Sequence, residues 1–247
     1  MRFIVCSIAS KLTRKRADDR SSNIGKDLLR RVDLGPNIQR VFSIEYRLAT
    51  ASPFPSQLLD ALAGYQYLVS TVGFSPQDII LQGDSAGGHL ALSLARYIAE
   101  FAPELKPGGM LLLSPWCDLS AKAQDVESMF FASDYIVRRY PHAGAHLTGP
   151  FGLGMADNSR WISPALPEGT WSFKGFPKTI ILSGGAEILR DQVRELRKKL
   201  ERDLGSEDVQ HLELADAVHD WIVFPRFEPE TQQGLEAIAS WFKVLLQ

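Results

Sequence analysis

The sequence predicts an α/β protein, a mostly parallel sheet with helices on both faces. Three observations predict it. Short β-branched runs alternate with helical periods from Val41 onward, a glycine-rich turn joins one strand to one helix at residues 83–88, and a long aromatic-rich insert at about 114–177 interrupts the alternation. Such alternation favours parallel strands joined by helical crossovers. At 247 residues, 45% hydrophobic and 23% charged, the chain suffices for one sizeable core, and residues 1–247 read as a single domain. The 27 Lys and Arg against 29 Asp and Glu leave a formal charge of −2, which argues against a nucleic-acid binder. Apolar runs are too short for a membrane span, and the composition fits neither disorder nor a coiled coil.

The elements follow in order. Residues 3–9 (FIVCSIA) read as a strand running into a solvated turn with Lys11, Arg14, Lys15 and Arg16. Their apolar run is short for a signal peptide and reaches no cleavage site, and the chain has no Asn-x-Ser/Thr sequon, so a cytoplasmic location is expected. Cys6 and Cys117 are too few and too far apart for a disulfide framework or a metal site, and read as free thiols. Residues 41–46 (VFSIEY) form a strand. Leu58, Leu62, Tyr65 and Leu68-Val69 then share one helical face, with Pro53 and Pro55 just before it. A strand at 78–82, a helix at 86–101 and a strand at 110–113 precede the insert. A strand at 179–182, a helix bearing Val193, Leu196, Leu200 and Leu204, a strand at 209–214 and an amphipathic helix with Leu235, Ile238, Ala239 and Phe242 complete the pattern. The insert holds Trp116, Phe130, Phe131, Tyr135, Trp161 and Trp171 among many Gly and Pro. A long aromatic segment between strands suits a lid or substrate wall at the sheet's carboxyl edge.

Gly83-Asp84-Ser85-Ala86-Gly87-Gly88 is Gly-x-Ser-x-Gly between a predicted strand and a predicted helix. The spacing has a physical reason. A serine on so sharp a turn projects its hydroxyl from the sheet edge, and small neighbours let strand and helix approach. The Ala86 amide, at the helix start, faces a developing oxyanion. A serine nucleophile needs a base, and the base an orienting acid, in the chain order Ser, acid, His. His219 follows the last predicted strand and is the candidate base. His89 lies inside a helix and His211 inside a strand, while Pro141 and Gly144 are expected to spoil a helical metal pair at His142 and His146, so no metal site is proposed. Glu187 follows the 179–182 strand and is the candidate acid, with Asp191 the alternative, expected in the first turn of the next helix.

These motifs resemble the hormone-sensitive-lipase-like branch of the α/β-hydrolases, carboxylesterases and small lipases. Tyr46-Arg47-Leu48-Ala49 with Pro53-Phe54-Pro55 and Asp60, the Gly83 to Gly88 turn, Leu113-Ser114-Pro115-Trp116 with Asp118-Leu119-Ser120, Ile162-Ser163-Pro164-Ala165, Glu187 to Asp191 and His219-Asp220 all carry the resemblance. It implies the α/β-hydrolase fold, N-terminally shortened, and a triad of Ser85, Glu187 and His219 needing no cofactor. It also implies Ala86 as an oxyanion donor, and Asp84, Trp116, Phe130 and Trp221 against a small-molecule ester of small or medium acyl length. The family's HGGG segment has no counterpart, since residues 8–16 contain neither His nor Gly. That segment supplies most oxyanion donors, and losing one costs about 10²–10³ in turnover. Two rival expectations therefore stand beside an active esterase: a weak or inactive hydrolase fold used to bind a ligand or partner, and an N-terminally incomplete esterase. A strand at 41–46 without its neighbour would leave an open edge inviting a homodimer.

Overall fold

The computed structural model describes residues 3–8, 31, 38–120, 123, 134–136, 140–224 and 227–245. Its strands are β1 (Phe3–Ile8), β2 (Ile38–Ser43), β3 (Ile79–Asp84), β4 (Gly109–Leu113), β5 (Lys178–Gly184) and β6 (Val209–Leu214). They form one sheet in the order β2-β1-β3-β4-β5-β6, every neighbouring pair parallel. The helices are α1 (Ser56–Gln66), α2 (Ala86–Phe101), α3 (Tyr140–Thr148), α4 (Arg190–Leu204) and α5 (Glu230–Leu245). A π-helical stretch, Tyr67–Val72, prolongs α1 to Gly73 in the left-handed region.

The side-chain alternation of the central strands builds a core on each face of the sheet. Ile79, Leu81, Met110, Leu112 and Ile181 join Leu58 and Tyr65 of α1, Leu90 and Leu94 of α2, and Val193, Leu196 and Leu200 of α4. Ile80, Leu111, Leu113, Ile180 and Leu182 join Leu235, Ile238, Trp241 and Phe242 of α5. Because β3 and β4 are buried on both faces, Ile79-Ile80-Leu81 and Met110 to Leu113 read as apolar runs rather than as an alternation, and β3 ends in the buried Gln82, Gly83 and Asp84.

The observed elements depart from the sequence-based ones in three places. The strand expected at 41–46 is β2, three residues earlier. Ile44 and Tyr46 lie past its end and are buried in the first core, so their apolar character reflects burial in a loop and not ladder pairing. The strand expected at residues 3–9 is β1, inserted between β2 and β3. The strand at 41–46 therefore does not lack a partner: β2 pairs with β1 on one side, and no other described strand pairs with it. Pro141 and Gly144, expected to interrupt a helix, lie within α3; a proline in a first turn is tolerated because no intrahelical partner awaits its missing N–H. The predicted turn at 11–16 and Phe130 and Phe131 lie outside the described residues. Among the described residues, no helix is long and apolar enough to cross a membrane.

Candidate active site

Ser85 is the single residue between β3 and α2, and its backbone sits at φ 50°, ψ −117°. A non-glycine residue in that region costs about 1–3 kcal/mol and persists only where its surroundings impose it. Here the imposing contacts are backbone hydrogen bonds. Ser85 N–H donates to Leu113 O at 2.9 Å, and Ser85 O accepts from Trp116 N at 3.0 Å and from His89 N at 3.1 Å. The strand-to-helix reversal brings the backbone of Gly87 against Gly83 so closely that a Cβ on Gly83 would stand 2.3 Å from Gly87 O. Only glycine fits. Gly83→Ala is expected to cost about 3 kcal/mol or more, lowering Tm by roughly 10 °C in a thermal melt.

Glu187 lies three residues past the end of β5 and His219 five past β6, so both loops stand at the sheet edge that carries Ser85. The loops are joined directly. Gly185 N–H donates to Leu214 O at 2.7 Å and Ala186 N–H to Ala217 O at 3.0 Å. Glu187 is fully buried, His219 is 1% exposed, and His219 Nδ1 lies 3.7 Å from Glu187 Oε2. Nε2 of the same ring lies 3.2 Å from Oδ2 of Asp220. Ser114 links the two acids: its hydroxyl donates to Glu187 Oε2 at 2.6 Å and accepts from Asp220 N–H at 3.1 Å. Ser114 does this from a left-handed backbone, φ 39°.

The electrostatics follow from that crowding. Burial pushes the Glu187 carboxyl upward, against the nearby His219 ring and the Ser114 hydrogen bond, which favour its charge. Burial alone would lower His219, but the adjoining Asp220 carboxylate and Glu187 outweigh it and hold the imidazole well above the ordinary histidine range. His89 contrasts with it. Burial takes it down to about 4, and its Nε2 meets Ile162 O at 3.1 Å, the behaviour of a neutral histidine tying α2 to the insert.

Ser85, Ala86, Asp84, Glu187, His219 and Trp116 thus gather at the carboxyl ends of β3–β6, with Asp84 the last residue of β3, Ala86 the first of α2, and Trp116 hydrogen-bonded through its amide to Ser85. Asp191, the alternative acid, is on α4 with its side chain 76% exposed and paired to Arg190 and Arg194. Trp221, expected against the substrate, is 1% exposed and belongs to the core beneath α5, where its ring fills the space above Gly234. That packing makes it a core residue.

Three further residues belong to the site: Ser114, Asp134 and Asp220. Asp134, in the insert, accepts from Ile188 N–H at 2.8 Å and so braces the acid loop. Its neighbour Tyr135, 54% exposed, has its ring 5.9 Å from His219 and in edge contact with Phe224 at 5.4 Å. Ser114 could be singled out beforehand through the Leu-Ser-Pro-Trp block, whereas the roles of Asp134 and Asp220 depend on long-range packing and backbone angle. The insert is closed on itself by Leu119 N–H to Ser163 Oγ at 3.0 Å and Ala165 N–H to Cys117 O at 2.8 Å.

Comparison with known proteins agrees with this architecture. The family model described as alpha/beta hydrolase fold matches residues 36–223. An esterase of Acinetobacter venetianus is 29% identical over 214 residues, covering 85% of this chain and 66% of that protein. An acetyl-hydrolase of Streptomyces hygroscopicus is 26% identical over 211 residues, covering 82% and 64%. The chain therefore spans slightly less than two thirds of the curated relatives it matches. Among solved structures, an esterase from the bacterial hormone-sensitive lipase family superposes with a TM-score of 0.79 at 23% identity, covering 99% of this chain and 77% of that one.

Proposed function

Because the chain belongs to the alpha/beta hydrolase fold family, we propose that it is a serine carboxylesterase for small or medium acyl esters, working through Ser85, His219 and Glu187. The observation that carries this reading is the Ser85 backbone. A residue held in a costly conformation between a central strand and a helix, at the same sheet edge as a buried acid and imidazole, is what a projecting nucleophile requires. The esterase and acetyl-hydrolase relatives support it.

In this reading His219 Nε2 takes the Ser85 proton as Ser85 Oγ bonds to the ester carbonyl carbon. Glu187 orients the ring from the Nδ1 side and favours the imidazolium that forms. The Ala86 amide, at the positive end of the α2 dipole, steadies the tetrahedral oxyanion. The alcohol departs with the proton from Nε2, and water, activated by the same ring, releases the acid and restores Ser85. Asp84 and Trp116 border the nucleophile and are proposed to face the substrate. The outer edge of β2 is the proposed site of a homodimer, where a second copy would continue the ladder.

The test is covalent as well as kinetic. The folded protein is expected to hydrolyse p-nitrophenyl acetate or butyrate and to take up one fluorophosphonate per chain, mapped to Ser85. A folded protein that does neither refutes the esterase reading and favours a ligand-binding hydrolase fold.

A further inference from the structure

We infer that Asp220 is a positioning residue that engages Nε2 of His219 in the resting protein and must release it before Ser85 can lose its proton. The inference rests on Ser85, Glu187 and His219 being the catalytic set and adds a control on it. Its ground is the geometry of the ring. Of the two carboxylates flanking His219, Asp220 is the nearer, 3.2 Å against 3.7 Å, and it sits on the nitrogen that a serine must use.

Asp220 is built to do this. Asp220 reaches back to the distal nitrogen of the preceding residue from a left-handed backbone, φ 50°, ψ 31°. Its N–H is held by Ser114 Oγ, the hydroxyl that also grips Glu187, so one serine fixes both acids relative to the ring. The carboxylate is 7% exposed, its Oδ1 has no hydrogen-bond partner among the described residues, and His219 is its one ion-pair partner there.

The titratable groups around the ring are carboxyls and one neutral phenol, with no second cation among the described residues. They are Glu187 from the loop after β5, Asp220 itself, Asp134 and Tyr135 from the insert, and Asp84 at the end of β3, which faces Tyr135. Such surroundings favour the imidazolium, with Nε2–H directed to Asp220. In that state Nε2 has no lone pair to offer Ser85. Turnover begins when that proton passes to solvent water and the Asp220 carboxylate turns aside.

The decisive variant is Asp220→Asn, which keeps the shape and tolerates a left-handed backbone while removing the charge. The ring nitrogens of His219 are titrated by NMR, assigned by the signals lost in His219→Gln, and kcat/KM is followed against pH with p-nitrophenyl acetate. The His219 pKa is expected to fall by about one unit or more, roughly tenfold in proton affinity. The acid limb of the rate profile is expected to fall with it, leaving the variant faster than wild type at low pH. An unchanged His219 pKa in the folded variant overturns the proposal whether or not the protein turns over. A lowered pKa in a protein whose wild type hydrolyses no ester supports the pairing and sinks the esterase reading instead. If Asp220→Asn does not fold, Asp220→Gly, which suits the backbone and retains the N–H to Ser114, answers the same question.

Discussion

Ser85→Ala is expected to remove ester hydrolysis, by about 10⁴-fold or more in kcat/KM, and to abolish fluorophosphonate uptake. The argument rests on what the substitution leaves intact. Among the described residues the hydrogen bonds that fix the turn are backbone ones, to Leu113, Trp116 and His89, and none uses the hydroxyl. Alanine carries the same Cβ at φ 50° as serine does, so the strain of the turn and the Tm should stay close to wild type. Lost activity in a protein that melts normally is then a loss of chemistry. The residual rate, set by binding and any oxyanion stabilisation, should still exceed hydrolysis in water. Turnover surviving in Ser85→Ala, measured with the same chromogenic ester, would remove Ser85 from the mechanism.

Glu187→Gln is expected to lower kcat by about 10³–10⁴-fold with KM little changed. The buried carboxylate faces Nδ1, while Ser114 donates a short hydrogen bond to it. Gln keeps the volume but removes the charge that favours the imidazolium of the transition state. An amide that turns its NH₂ toward Nδ1 also forces the ring proton onto Nε2, the wrong tautomer for accepting from Ser85. Glu187→Gln and Asp220→Asn therefore separate the two acids. The first should depress the plateau of the rate profile, the second should move its acid limb. A Glu187→Gln protein that folds and keeps most of its kcat would return the acid to an open question.

What could be read beforehand divides along physical lines. Helix α2 runs from Ala86 to Phe101, the span its periodicity predicts, because the Gly-x-Ser-x-Gly turn begins it sharply and Pro103 stands just past its end. The central strands are legible for a similar reason: buried on both faces, they are short apolar runs bounded by turns. The alternation of β2 continues past its end into Ile44 and Tyr46, which are buried outside the strand ladder, and only the register against β1 ends the strand at Ser43. Ser85, Glu187 and His219 stood out because their residue types and chain order have chemical meaning. Trp221 beside His219 suggested a wall to a pocket, and nothing local signalled that Gly234, on a distant helix, leaves room for its ring. Asp220 was visible as a letter in the motif, but its part depends on a backbone angle that spacing does not encode.

The all-parallel ladder has a consequence for how the molecule is made. With no hairpin among these strands, each pairing waits for a crossover, and the contacts that hold the site are distant along the chain: Ser85 with Leu113, Ala186 with Ala217, Ser114 with Asp220. Topologies of high contact order fold slowly, and chains emerge from synthesis N-terminal end first. A nascent chain can present the elbow serine long before β6 and His219 exist to activate it. Hydrolysis by the proposed triad would thus be silent during elongation and begin only once β6 has docked.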